Sequence, residues 1–259
     1  MATEASIPKT NKGITFPESS LAHKILDGLA GLEIGPAAHN PFGLKTRAVG
    51  LTPKMDAHDH EFFKQMQLEN CGRIAQIDLP GDAASIPVAD SSTDFVLHSH
   101  VWEHLPNPLA AAEEWVRVVR PNGFIFAIVP KRDADPADRE RPLTSLGELL
   151  HHYRKKTVYE DRIPEMGGPA RSHYTVFSPD LLHQIGSWFN RSHFRARLEE
   201  IAFQQTDDKV GNGHAIVWQV RKFSFPLDSL SACLSRATLR HRSATQQASL
   251  SFRRKEPIP

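Results

Sequence analysis

Five side chains able to move protons or bind ions crowd one short stretch of this chain: His98, Ser99, His100, Glu103 and His104. An imidazole titrates near neutrality, so a histidine placed beside a hydroxyl can take its proton at physiological pH. His100 stands just past an apolar run and is the expected base, with Glu103 and His104 completing a candidate catalytic set. His98, which alternates with Ser99 along a strand, either reaches the site or packs under a helix. Should His100 not serve, the base is sought at His98, His104, His151, His152 or His173. The His100–His104 spacing raises metal binding, but no third ligand stands out and Pro106 interrupts any helix, so no metal is expected. A second constellation lies upstream in GLEIGPAAHNPF, residues 31–42. Leu32 and Ile34 suit a buried strand, Glu33 is an odd acid inside it, and Gly35-Pro36 turns the backbone at its carboxyl end, where open α/β sheets bind ligands. A glycine there lets main chain approach a ligand, and an acid accepts hydrogen bonds from hydroxyl or ammonium groups.

These residues need a frame, and the apolar spacing supplies one. Leu21, Ile25 and Leu29 recur at helical intervals behind the N-capping pair Ser19-Ser20. The first strand opens at Gly31, RAVGLT forms the second, and EFFKQMQLEN makes a helix that Cys71-Gly72 ends. RIAQIDL is expected as the third strand and Asp94 to Ser99 as the fourth. From Pro108 to Arg120 a helix places Leu109, Ala112, Val116 and Val119 on one face and pairs Glu113 with Arg117 on the other. GFIFAIV reads as a strand covered on both sides. Ser178 caps a helix begun by Pro179, and FRARLEEIAFQQ and GHAIVWQVRK form a closing strand pair.

GDAASIPVADSSTDFVLHSHVWEHL, residues 81–105, followed by RVVRPNGFIFAIVP, residues 117–130, carries a family likeness. Together with Glu33-Ile34-Gly35-Pro36 these segments resemble the class I S-adenosylmethionine-dependent methyltransferases, in a Glu-Ile-Gly-Pro, methyltransferase type 11-like subgroup, over roughly Leu21 to Lys222. The resemblance implies an α/β fold: a Rossmann-like, seven-stranded, mostly parallel sheet with helices on both faces and an antiparallel closing strand. It implies S-adenosylmethionine as cofactor, with Glu33, Gly35 and Pro36 at its ribose and amino-acid end. Asp82 would accept from the adenine amino group, the Ala83 amide would meet the ring, and His98 would lie beside the cofactor. Glu103-His104 would cap and orient the loop more than carry protons. One departure is Gly50, which falls where the family usually ends its second strand with a ribose-binding acid; Asp56, or Asp59, would have to reach back. The subgroup further resembles enzymes associated with surface-glycan assembly, which implies O-methylation of a saccharide or small-molecule acceptor.

The organisation expected is a flexible arm over 1–18, a methyltransferase domain over 19–222 with a substrate lid at 131–172, and a basic tail over 223–259. The 259 residues, 40% hydrophobic, suffice for one core. Lys+Arg 31 against Asp+Glu 30 leaves a formal charge of +1, which supplies no field for nucleic acid. Cys71 and Cys233 stand far apart without a CxxC, which suggests a reducing, cytoplasmic setting. The N-terminus lacks an apolar signal core, and no stretch is apolar enough for stable membrane insertion. Two other readings stay open: a binding module of the same fold without turnover, favoured by Gly50, and a nicotinamide-dependent oxidoreductase, disfavoured by the missing GxGxxG.

Overall fold

The computed structural model describes residues 13–51, 57–166 and 173–223, with side chains undescribed at 57–59 and 163–166. Asp56, the first twelve residues and the tail from 224 therefore lie outside the described residues. Contacts divide the chain into two units, Met1–Lys222 and Phe223–Pro259, and the sheet with its helices belongs to the first.

A seven-stranded sheet organises that unit, comprising β1 (Gly31–Ile34), β2 (Thr46–Gly50), β3 (Leu79–Pro80), β4 (Thr93–Ser99), β5 (Val119–Pro130), β6 (Ala196–Gln204) and β7 (Gly213–Lys222). The order is β3-β2-β1-β4-β5-β7-β6, parallel through β5 and antiparallel at β7 and β6. This is a Rossmann-like layout in which β7 alone runs against the other strands, as expected, because β6 is antiparallel to β7 and so aligned with the rest. Side chains alternate across the sheet with period two. Phe95 and Leu97 of β4 join Phe126, Ile128 and Val217 against Ala22 and Leu26 of α1 (Ser20–Leu26). Val96, Ile125 and Trp218 face the opposite way, against Leu109 and Trp115 of α3 (Pro108–Val118) and Leu182 and Ile185 of α6 (Pro179–Ser192).

The helices start where capping chemistry allows. Ser19, Asn107 and Ser178 each accept a backbone N–H at the N-cap, and Pro108 and Pro179 occupy first-turn positions whose missing N–H costs nothing. Helix α2 (Ala57–Cys71) ends at Gly72, whose φ of +70° suits glycine.

Several expectations need correction. The third strand pairs only over Leu79–Pro80, because side chains replace its ladder upstream. Ala75 N–H donates to Gln67 Oε1 at 2.9 Å, and Ala48 N–H donates to Asp78 Oδ2 at 2.8 Å. Glu113 and Arg117 do not pair. The Arg117 guanidinium donates to Glu114 and Asp90, while Glu113 accepts from the Tyr153 hydroxyl and contacts His193. The polar segment after β5, offered by the sequence as a lid, contains α4 (Leu146–Lys155), with a Ser145–Glu148 capping box, and α5 (Tyr159–Met166). Among the described residues no helix is long and apolar enough to cross a membrane.

Candidate active site

The parallel strands end on one side of the sheet, and there a cavity of about 480 Å³ opens. Its wall includes Gly35 and Pro36 after β1, Gly50 at the end of β2, Asp82 and Ala83 after β3, and His100 and His104 after β4. Gly35 has φ +61°, and a Cβ added to it would stand 2.7 Å from Val101 Cγ2. Only glycine meets both conditions, the left-handed backbone and the tight approach of the β4 loop. Asp82 accepts the Ala84 N–H at 2.7 Å, and burial pushes its carboxyl above the usual range. Ala83 is pinned through its carbonyl, which accepts Trp115 Nε1–H at 2.9 Å.

His100 sits at the junction of the two chemistries. Its φ of +56° is uncommon for a side chain with a Cβ and marks a position fixed by its surroundings. Nε2 lies 3.0 Å from Asn212 Oδ1 and Nδ1 lies 3.0 Å from the Ser99 hydroxyl. If Nε2–H donates to Asn212, Nδ1 is the ring's acceptor. Burial, against the opposing effects of Asp207 and Asn212, holds the imidazole below its usual range, so near pH 7 it is neutral and has a lone pair with which to accept a proton. Asn212 arrives from the loop between β6 and β7, which Asp207 ties by accepting N–H groups from Lys209, Val210, Gly211 and Gly213. Burial works against this carboxylate's charge, yet those donors together hold it below the usual range.

Other candidates fall outside the cavity wall. His98 is wholly buried, with ring centroids 4.6 Å from Trp115 and 5.7 Å from Trp102, and neither ring nitrogen has a hydrogen-bond partner. Burial, reinforced by His100, drives it down to about 3. It packs under α3 rather than reaching a ligand. Glu33 is mostly buried and accepts from the Thr46 hydroxyl at 3.2 Å; burial raises its carboxyl, against that bond and the Lys209 charge. Any effect it has on the cavity passes through the strand that carries it.

Glu103 is fully buried in the 3-10 turn Trp102–His104, and among the described residues neither carboxyl oxygen has a hydrogen-bond partner on another residue. Burial pushes it up to about 8, helped by Asp138 and opposed by a backbone hydrogen bond. Its carbonyl accepts from the N–H groups of Tyr174 at 2.7 Å and Thr175 at 3.2 Å, which brings His173 alongside. One donor atom from each of Glu103, His104 and His173 falls within 4.8 Å of the other two. The sequence offers His173 only as a substitute base, because its partners lie 69 and 70 positions away (173 − 104 and 173 − 103). Asn212 and Asp138 carry no local signal at all.

Residues 30–127 match a methyltransferase domain family. The match runs from just before β1 into β5, so the matched segment holds Gly35, Asp82, His100, Glu103 and His104, while His173 and Asn212 come from beyond it. A Mycobacteroides abscessus protein described as an uncharacterized methyltransferase is 44% identical over 46 residues, covering 18% of each chain. The stretch thus spans less than a fifth of that relative. A structure of an S-adenosylmethionine-dependent methyltransferase, possible histamine N-methyltransferase, from Thermotoga maritima aligns at 16% identity and TM-score 0.43, covering 78% of this chain and 86% of that one. One from Methanosarcina mazei aligns at 16% and TM-score 0.42, covering 79% and 98%.

Proposed function

We propose that the protein is an S-adenosylmethionine-dependent methyltransferase that uses the cavity at the strand ends for its cofactor. The observation that carries this reading is the convergence of Gly35, Asp82 and His100 on one cavity, within the segment that matches a methyltransferase domain. Methyl transfer asks little covalent help of a protein: the acceptor must be aligned with the S–CH₃ bond, lose its proton and be kept dry. The bare main chain at Gly35 admits the amino-acid and ribose end, Asp82 accepts from the adenine amino group, and the Ala83 amide faces the ring. His100 takes the acceptor's proton at Nδ1 while Asn212 keeps the ring in one orientation. Bound there, S-adenosylmethionine would supply the methyl group to the acceptor oxygen and leave as the thioether.

The acceptor is a saccharide or small molecule, in keeping with glycan modification. A neighbouring cavity of about 600 Å³ shares Asp82 and Leu105 with the first and is lined by Asn107, Tyr153, Arg154 and Lys156, polar groups suited to a hydroxyl-rich acceptor. The alternative reading is a binding module without turnover. It is favoured by Gly50, which puts no carboxylate where ribose hydroxyls would be gripped.

Calorimetry with S-adenosylmethionine and its demethylated product tests cofactor use. A labelled methyl donor incubated with candidate glycans and small hydroxylated acceptors tests turnover. Absence of heat with either ligand at millimolar concentration would remove the methyltransferase reading. Heat without label transfer would favour the binding module.

A further inference from the structure

A buried carboxyl group with no hydrogen-bond partner on another residue is costly, and proteins rarely leave one without a purpose. Glu103 is such a group, with no exposed surface and with His104 Nε2 3.8 Å from Oε1. His173 completes a Glu-His-His donor set. We propose that Glu103, His104 and His173 form a binding site for a divalent transition-metal ion at the edge of the cofactor cavity.

The surroundings are those a metal site needs. One Asp138 oxygen accepts from His173 Nδ1, which fixes the ring and leaves Nε2 to ligate. Carboxylate-to-histidine support of this kind orients a ligand and raises its basicity. Arg141 holds Asp138 Oδ1 and the His173 carbonyl, so the supporting carboxylate is itself anchored. The His104 and His173 rings lie edge to face, 4.8 Å between centroids, which keeps the two imidazoles side by side. Donors bound at about 2.1 Å in a tetrahedral set lie about 3.4 Å apart, so side-chain adjustments of about an ångström close the set. Two imidazoles and one carboxylate favour zinc, cobalt, iron or manganese over calcium or magnesium. Three protein ligands leave open positions, the arrangement of a site that accepts an exogenous ligand. His104 also lines the cofactor cavity, so the site borders the space where methyl transfer is placed. What the ion would do there, taking an acceptor oxygen as ligand, rests on the methyltransferase reading; the site itself does not.

The test is a Co²⁺ titration of tag-free, chelator-treated protein, followed by visible absorption and by calorimetry. One equivalent is expected to bind per chain with ligand-field bands. Glu103→Gln and His173→Gln should each weaken binding at least tenfold, and Asp138→Asn by roughly 10- to 100-fold. His151→Ala, on an exposed face of α4, should change nothing. A parallel titration with S-adenosylmethionine reports on folding of every variant and keeps the two ideas apart. Wild-type protein that binds the cofactor but takes up no Co²⁺ at millimolar concentration overturns the metal site alone. So does stoichiometric Co²⁺ binding that survives in both Glu103→Gln and His173→Gln. Metal binding without cofactor binding upholds the site and sinks the methyltransferase reading instead.

Discussion

The two walls of the cavity are built differently. On one wall, Gly35-Pro36 and Asp82-Ala83 are short turns directly after β1 and β3, each held by contacts to the sheet or α3. On the other, His100 and His104 follow β4, with the buried Glu103 behind them, and depend on His173 and Asp138 from the segment after β5 and on Asn212 from the closing hairpin. The first wall lies within the matched methyltransferase segment; the second is completed by residues outside it. A ligand common to many proteins can be held by local turns, whereas the chemistry applied to it can be reset by elements that vary.

If that division holds, changes on the second wall should alter turnover and changes on the first should alter cofactor affinity. The largest effect is expected at His100. Asparagine tolerates its left-handed backbone, so His100→Asn should lower the methyl-transfer rate by about 10²- to 10⁴-fold with little change in S-adenosylmethionine affinity. Steady-state kinetics beside calorimetry separates the two, and a matching loss of affinity would move His100 to the cofactor wall. Next comes Asp82→Ala, which removes a charged acceptor worth about 1.5–3 kcal/mol and should weaken cofactor binding by about one to two decades. Unchanged affinity would make Asp82 a turn residue only.

Gly35→Ala should cost about 1–2 kcal/mol in backbone strain and crowd Val101, weakening cofactor binding roughly tenfold. Adding Val101→Ala relieves the crowding but not the strain, so the double variant should recover part of the affinity. Full recovery or none would show that only one of these constraints operates.

The smallest effect concerns stability rather than either wall. Buried His98, with its neighbour His100 adding to the effect, titrates at about 3 when folded and near 6.5 when unfolded. Below pH 6.5 the unfolded chain therefore binds a proton that the folded chain refuses. The stabilisation is complete above 6.5 and is lost as pH falls toward 3, which amounts to about 1.4 kcal/mol between pH 7.5 and 5.5. Denaturant melts of wild type and His98→Leu at both pH values check this as a difference between the two proteins, so the rest of the chain's titration cancels. A difference that does not change with pH would mean that His98 is accessible to protons when folded.

Period and capping made much of the fold legible. Ser19, Asn107 and Ser178 head helices, and Gly72 ends one, because orphan N–H and C=O groups at helix ends need local partners. The continuous apolar run GFIFAIV in β5 announced a strand covered on both faces, and Gly35-Pro36 announced a turn at a strand end. The short β3 was not legible, since whether an extended segment joins a ladder depends on its neighbours, here Gln67 and Asp78, and not on its own pattern. Nor was the Arg117 pairing, because two acids compete for one guanidinium and packing chooses between them.

By itself the sequence determined which residues could bend the backbone, cap a helix, or exchange a proton, because those properties belong to single side chains and their near neighbours. Tertiary structure alone decided that His98 lies buried between tryptophans while His100, two residues on, faces the cavity, since the strand ends between them and only the helix above His98 fixes which of the two is closed off. It also decided that His173 meets Glu103 and His104, and that Asn212 meets His100, because contact between distant segments is set by the folding of the whole sheet.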